Sequence, residues 1–237
     1  MAHFLLIHGS CHGAWCWRDM LPLLNSGGHT ASAIDLPSHG DDMTPVNDVT
    51  LDSYADAIIE AIDEPVVLVG HSMAGYPISA AAEKAPEKIT RLVYLCAYLP
   101  AEGKSLVDRR ISGPRQLLQD AIVRSDDGKS FIIDPAKAGE KFYTDCAQSV
   151  VDYANENLCP QAILPQATVL DITENLKNTP KTYIRCMNDH TIPPEFQVTM
   201  TADWPAGDIY EMQSSHSPFF AQPGRLAEIL FEVAENS

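Results

Sequence analysis

Residues 65–86, PVVLVGHSMAGYPISAAAEKAP, decide how the rest of the chain is interpreted. Val66–Val69 is a short β-branched run, which is typical of a strand buried on both faces. The Ala-rich stretch 79–85 predicts a helix that ends at the following proline. Residues 70–75 lie between them as a turn of small residues with Ser72 at its apex. A serine at the apex between a strand and a helix forms a nucleophile elbow, so we predict that Ser72 is a nucleophile.

The neighbours of Ser72 are small, as the tight turn of an elbow requires. Gly70 and Ala74 lie two residues before and two after it. The usual pattern has glycine at the second of these positions, and here Gly75 follows one residue later. Pro77 is compatible with the helix only near its first turn. The alternative is a buried Gly-Ser turn without a chemical role, and the flanking strand and helix favour the nucleophile.

The composition is that of an ordinary globular protein and limits the partners. The 237 residues are 45% hydrophobic and 20% charged, which favours one domain with an insertion. The 32 acidic and 16 basic residues give a formal charge of −16, which argues against nucleic acid or an anionic membrane as partner. No apolar stretch approaches the ~20 residues of a membrane span, and no signal peptide is recognisable, so we expect a cytoplasmic protein. The six cysteines show neither CxxC nor zinc spacing, so we expect reduced thiols and no metal.

Strand and helix patterns alternate in both terminal parts of the chain. Strands are predicted at 3–8, 30–34, 66–69, 89–98, 181–186 and 208–212. Helices are predicted between them and at the C-terminal end, at 14–26, 51–62, 79–85, from 194 onward and at 219–234. This alternation predicts an α/β fold with a parallel sheet and helices on both of its faces.

The alternation stops after Leu99-Pro100. Helices are predicted at 113–124 and 135–155, with a hairpin that turns at Asp126-Asp127-Gly128. We interpret residues 101–179 as a cap inserted over the sheet edge where the nucleophile lies. The core then consists of residues 1–100 and 180–237.

A nucleophilic serine needs a base within hydrogen-bond reach and a third group that holds the base. In α/β-hydrolases, for which the elbow is typical, the order along the chain is serine, acid, histidine, each on a loop after a strand. Only His190 and His216 follow Ser72. Because His190 adjoins Asp189, we predict His216 as the base and Asp189 as the acid. Two other carboxylates stay open as the acid, those of Asp171 and Asp208.

The oxyanion that forms during acyl transfer needs fixed N–H donors. We expect one from the backbone of Met73, the residue after the nucleophile, at the beginning of the following helix. We expect the second from Ser10 in the loop after the first strand, where Gly9 allows a close approach of the backbone. His39 and His71 are interpreted as structural, the second as orienting the elbow.

Four stretches together resemble the plant methylesterase and hydroxynitrile lyase family of α/β-hydrolases. They are LIHGSCHGAWCW at 6–17, AIDLPSHG at 33–40, VLVGHSMAG at 67–75 and DHTIPPEFQ at 189–197, followed by a late histidine. The likeness covers nearly the whole chain. It implies an α/β-hydrolase fold with a mostly parallel six-stranded sheet, a helical cap with a small hairpin, and no cofactor. It also implies the same catalytic roles for Ser72, Asp189 and His216.

The resemblance also separates two branches of the family. In its lyases, a threonine on the first loop donates to the cyanohydrin hydroxyl, and a lysine after the catalytic histidine stabilises the departing cyanide. The matching positions here are Gly9 and Ser217, which favours the esterase branch. Together with His12, these two are the expected substrate-binding residues.

The leading hypothesis is a serine carboxylesterase that acts on a small to medium apolar ester through an acyl-enzyme. A hydroxynitrile lyase, or a cofactor-free oxygenase that uses the same His-Asp pair, is the first alternative. A ligand receptor with weak hydrolase activity is the second, because a fold does not determine a function. A small-molecule ester is the expected partner, and the sequence leaves a homodimer open.

Overall fold

The computed structural model describes residues 1–236, which form two β-sheets and the helices around them. The strands in chain order are β1 (His3–Ile7), β2 (Thr30–Ile34), β3 (Val66–His71), β4 (Ile89–Leu95), β5 (Ile122–Arg124), β6 (Ser130–Ile133), β7 (Gln161–Ala162), β8 (Lys181–Cys186) and β9 (Ile209–Met212). The helices are α1 (Met20–Ser26), α2 (Leu51–Glu60), α3 (Gly75–Lys84), α4 (Leu106–Ser112), α5 (Pro135–Phe142), α6 (Gln148–Asn157), α7 (Leu164–Ala167), α8 (Glu174–Asn178), α9 (Pro194–Met200), α10 (Pro218–Ala221) and α11 (Pro223–Glu235).

The large sheet has six strands in the order β2-β1-β3-β4-β8-β9, and each neighbouring pair is parallel. The predicted α/β fold is therefore confirmed. Both faces of the sheet are covered: on β1, Leu5 and Ile7 belong to one hydrophobic cluster, and Phe4 and Leu6 belong to the other. All six residues of β3 are buried. The elbow strand is thus fixed in the middle of the sheet, and its carboxyl end carries the turn with Ser72.

Residues 101–179 form the connection between β4 and β8, and we call them the inserted segment. It contains a small antiparallel sheet in the order β5-β6-β7. The predicted hairpin is confirmed, with Gly128 at a φ of +68° in its turn. The interpretation of this segment as a cap stays a prediction.

The predicted helix at 113–124 is wrong. A 3-10 turn at Gln119–Ala121 leads into β5, which pairs with β6 from Ile122 to Arg124. The β-branched Ile122 and Val123 find strand partners, and this tertiary pairing overrides the helical spacing.

The predicted helix at 135–155 is divided into α5 and α6. In the break, the Asp145 carboxylate accepts from the backbone N–H of Ser215 at 2.8 Å, and the Tyr143 hydroxyl reaches His12 Nε2 at 2.6 Å. These long-range partners hold the residues between the helices in a non-helical conformation. The predicted helix at 14–26 is also divided, into a 3-10 turn at Ala14–Trp17 and α1.

Among residues 1–236, no helix combines the length and the apolar character that a membrane crossing requires. The cytoplasmic location and the homodimer stay predictions.

Candidate active site

The turn after β3 has the conformation of a nucleophile elbow. Ser72 has a φ of +58°, in the left-handed region that residues other than glycine seldom adopt. A Cβ on Gly70 would lie 2.8 Å from Ile78 Cδ1 and 3.0 Å from the Ala74 carbonyl oxygen, so this position must stay small. Ala74 itself is fully buried without preventing the turn. The glycine that the backbone requires is Gly75, where a Cβ would collide with the carbonyl oxygen of Tyr98.

Ser72, His216 and Asp189 form one chain of hydrogen bonds. The Ser72 hydroxyl lies 2.9 Å from His216 Nε2, and His216 Nδ1 lies 2.7 Å from Asp189 Oδ2. The side chains come from the carboxyl ends of β3, β9 and β8, which meet at one edge of the parallel sheet. Ser72 is 7% exposed, and the other two are 1% exposed. This arrangement allows the imidazole to accept the hydroxyl proton while the carboxylate holds the ring in place.

Asp189 is fixed by donors on both of its oxygens. Oδ1 accepts from the backbone N–H groups of Thr191 at 2.6 Å and Ile192 at 2.9 Å. Oδ2 accepts from Gln197 Nε2 at 2.9 Å in addition to the histidine. Gln197 is a residue that sequence reasoning missed, because an amide side chain on a helix carries no signal of this role.

The two other carboxylates that were open as the acid lie elsewhere. Asp208 is 3.3 Å from Arg91 Nη1 in an ion pair. Asp171 is exposed and lies within the inserted segment, near its end. The structure therefore brings only Asp189, of these three, to His216.

His71 packs against His216, with ring centroids 4.6 Å apart. Its Nε2 donates to the backbone carbonyl oxygen of His216 at 2.7 Å. Its Nδ1 is buried and has no hydrogen-bond partner among residues 1–236. Burial and the neighbouring His216 hold the pKa of His71 well below its usual range, so the ring is neutral. His39 contacts the Pro37 carbonyl oxygen and Gln161 Oε1, both at 3.1 Å.

The loop after β1 approaches Ser72 closely at Gly9. A Cβ there would lie 2.9 Å from Ser72 Cβ and 2.7 Å from His71 Nδ1. Ser10 and Met73, the two expected oxyanion donors, both line a small cavity at Ser72. The Ser10 hydroxyl accepts from Gln166 Nε2 at 2.8 Å.

His12 lines the same cavity, but both of its ring nitrogens are engaged. Nδ1 donates to the Ser10 carbonyl oxygen at 2.8 Å, and Nε2 accepts from the Tyr143 hydroxyl at 2.6 Å. Burial lowers the pKa of His12 to about 4, which keeps the ring neutral. His12 thus ties the loop of Ser10 to the inserted segment. Ser217 follows His216 and is fully buried. Among residues 1–236, it is not one of those that line this cavity.

Two cavities adjoin each other near Ser72, which lines the inner one. The inner one has a volume of about 20 Å³, which is little more than the space of one water molecule. Side chains of the inserted segment form much of its wall: Leu106, Arg110, Leu118, Phe131, Phe142 and Gln166. The outer cavity has a volume of about 490 Å³ and shares four wall residues with the inner one: Tyr98, Arg110, Leu118 and Thr191. None of the wall residues from the inserted segment is recognisable from sequence, because only the tertiary fold brings them to the serine.

One group of residues within 1–236 comes close enough together to hold a metal ion: His71, Cys96 and His216. His216 uses both ring nitrogens in the hydrogen bonds to Ser72 and Asp189, and a metal would have to displace one of them. We assign no metal to this group, and the absence of a cofactor stays a prediction.

Comparison with known proteins agrees with this architecture. The model of the "Alpha/beta hydrolase family" matches residues 4–229. Methylesterase 1 of Arabidopsis thaliana is 31% identical over 257 residues, which cover 98% of this chain and 96% of that protein. The chain therefore belongs to the alpha/beta hydrolase family, and the resemblance to plant methylesterases is confirmed.

Solved structures show the same fold over nearly the whole chain. A pyrethroid hydrolase from Sphingobium faniae JZ-2 superposes with a TM-score of 0.89 at 26% identity, over 99% of this chain and 97% of that one. Polyneuridine aldehyde esterase superposes with a TM-score of 0.88 at 26% identity, over 99% of both chains.

Proposed function

We propose that this protein is a serine carboxylesterase that hydrolyses a small to medium apolar ester through an acyl-enzyme. The observation that carries the proposal is the continuous hydrogen-bonded chain from Ser72 through His216 to Asp189 at a strained elbow. Relatives named for the hydrolysis of esters support the class of reaction.

The reaction follows from the roles that these groups can take. His216 Nε2 accepts the hydroxyl proton as Ser72 Oγ bonds to the ester carbonyl carbon. The negative charge on the carbonyl oxygen meets the backbone N–H groups of Met73 and Ser10. His216 then gives its proton to the leaving alkoxide. Water then gives a proton to His216 Nε2 as its oxygen bonds to the acyl carbon. The bond from that carbon to Ser72 Oγ breaks, His216 returns the proton to Ser72, and the acid is released.

The inserted segment acts in this proposal as a cap. It supplies apolar wall residues over the nucleophile, among them Leu118, Phe131 and Phe142. An inner cavity of about 20 Å³ holds no ester, so the cap side chains must move when substrate enters. Their apolar surface favours the hydrocarbon part of an ester.

The alternatives fit the site less well. The hydroxyl and the ammonium that serve cyanohydrin cleavage in the lyases would come from positions 9 and 217, which are glycine and serine here. A purely binding role would require neither the strained backbone at Ser72 nor the fixed His-Asp pair. A cofactor-free oxygenase would use the same His-Asp pair, and no particular contact favours it.

The test is turnover of a panel of p-nitrophenyl acyl esters together with labelling by a fluorophosphonate. We expect turnover by the wild type and a single label on Ser72. The variant Ser72→Ala should lose several orders of magnitude in kcat and all of the label, with an unchanged melting temperature. Full activity of the variant, or a label at another residue, would contradict the proposal.

A further inference from the structure

The outer cavity adjoins the cavity at Ser72 and is large enough for the part of a substrate that extends beyond the reacting ester. Its volume is about 490 Å³, and it meets the inner cavity at Tyr98, Arg110, Leu118 and Thr191. A substrate whose carbonyl carbon is at Ser72 must therefore pass Arg110 on its way into the larger space.

The charge of the outer cavity is opposite to that of the molecule. The chain carries 32 acidic and 16 basic residues. The residues that line this cavity nevertheless include three arginines, at 110, 115 and 124, and no carboxylate among the described lining residues. The charge of Arg115 is offset by its ion pair with Glu195, so the positive charge of this wall comes from Arg110 and Arg124 and attracts ligands of the opposite sign. The cavity thus favours an anionic group in a protein whose overall charge repels one.

Two neighbouring arginines are already engaged, and Arg110 is available. Arg109 Nε donates to the Leu99 carbonyl oxygen at 3.0 Å, and Arg115 makes a bidentate ion pair with Glu195 at 2.6 and 2.7 Å. Arg110 Nε, in contrast, is buried and has no hydrogen-bond partner among residues 1–236. A buried donor without an acceptor is unfavourable unless a water molecule or a ligand completes it, and a ligand that fills the cavity would take the place of such a water.

The position of Arg110 in the last turn of α4 explains its charge only in part. A basic side chain is favourable at a helix C-terminus. An arginine side chain that faces solvent would make this interaction equally well, so the interaction does not explain why Arg110 lines the cavities. The helix is held by a capping box between Ser105 and Asp108 and by the buried Leu106, so Arg110 is presented from a fixed element. Its side chain lines both cavities, and this placement is what a ligand would use.

We propose that Arg110 binds a carboxylate at the far end of an otherwise apolar substrate, so that the preferred substrates are monoesters of dicarboxylic acids. This inference rests on the proposed function and names the substrate class of the same site. The planar guanidinium matches a carboxylate in a bidentate geometry. The hydrocarbon chain between the two ends contacts the apolar wall at Leu118 and Phe142. Arg110 takes no part in the bond changes and acts on specificity alone.

The experiment compares matched half-esters and diesters of one acid. Methanol release is measured from monomethyl and dimethyl esters of succinate, adipate and suberate, with the wild type, Arg110→Gln and Arg110→Lys. We expect Arg110→Gln to lower kcat/KM for the half-ester by roughly 10- to 100-fold more than for the diester, mainly through KM, because it loses a charge-assisted pair. Arg110→Lys should recover part of this preference, since it keeps the charge but not the fork.

The variant Arg225→Gln is the matched control, because it removes one positive charge from the exposed face of α11. Its ratio of half-ester to diester kcat/KM should equal that of the wild type. If the wild type hydrolyses both esters and Arg110→Gln leaves the ratio unchanged at every chain length, the inference is wrong and the proposed function stands. If the wild type hydrolyses no carboxylic ester, both are wrong.

Discussion

Gly9 is a residue at which the first loop comes very close to Ser72. A Cβ there would lie 2.9 Å from Ser72 Cβ and 2.7 Å from His71 Nδ1. Contacts below 3.0 Å require a neighbour to shift, and here the neighbours are Ser72 and the side chain of His71, which contacts the His216 backbone. A threonine at this position, as in the lyases that the sequence resembles, would therefore disturb the elbow.

We expect no hydroxynitrile lyase activity from this protein. Position 9 provides no hydroxyl, and Ser217 provides no positive charge for departing cyanide. Cyanide release from mandelonitrile and from acetone cyanohydrin should stay at the buffer rate, while the same preparation hydrolyses a short-chain ester. If cyanide is released faster than in buffer, and Ser72→Ala abolishes this release, the site is that of a lyase.

Individual site residues were predictable where the order along the chain carries the information. Ser72 and His216 follow from the elbow and from the scarcity of histidines after it, and Asp189 follows from its place after a strand. Gln197, Tyr143 and Arg110 carry no such signal. They reach the site because helices and loops distant in sequence pack together there.

At the scale of elements, α3 is placed by the backbone contact at its first residue. A Cβ on Gly75 would collide with the carbonyl oxygen of Tyr98, in the loop after β4. Pro77 is the third residue of α3, where its missing N–H leaves no helical hydrogen bond unmade. The elbow therefore tolerates alanine at position 74, because the closest backbone approach occurs one residue later.

The variant Gly75→Ala should destabilise the fold by about 1–3 kcal/mol, because the neighbour is backbone and cannot move aside easily. Gly224→Ala is the matched control, since no atom lies within 4 Å of the Cβ that it adds within α11. Urea unfolding followed by circular dichroism measures both. Equal midpoints for Gly75→Ala and the wild type would refute this account of the turn.

Elements whose sequence fits only one type of secondary structure were predictable. Elements whose type depends on a pairing partner elsewhere in the chain were not. β3 has a continuous buried β-branched run, and α2 has a clear apolar face, so both lie where the sequence predicts them. The stretch around Ile122 has a helical spacing of apolar residues as well as β-branched side chains. The pairing with β6 selects the strand over the helix, and the local sequence around Ile122 does not reveal that partner.

At the scale of the whole molecule, neutral histidines are buried in and around the candidate active site. Burial lowers the pKa of His8, His12, His39 and His71. Their rings also lie near one another, with those of His8 and His39 4.8 Å apart. In the unfolded chain these rings titrate near ~6.5, so the unfolded state binds more protons below this pH. Acid therefore favours unfolding through these groups.

The net charge of the molecule acts in the opposite direction. At neutral pH the formal charge is −16, and a fall in pH reduces this mutual repulsion as carboxylates gain protons. The dependence of stability on pH is thus a sum of two effects of opposite sign. Substitution of one buried histidine separates them, because it changes the first effect and leaves the carboxylates as they are.

The variant His12→Gln should make stability less dependent on pH. With a folded pKa of about 4, His12 gives stability that is complete at pH above ~6.5 and declines as the pH falls toward about 4. At pH 5 this loss is on the order of 2 kcal/mol relative to pH 7.5. The free energy of unfolding in urea, measured at these two pH values, should therefore differ less in His12→Gln than in the wild type. The exposed His190 provides the control, and His190→Gln should keep the full wild-type difference. If His12→Gln and His190→Gln show the same difference as the wild type, the acid sensitivity does not come from the buried His12.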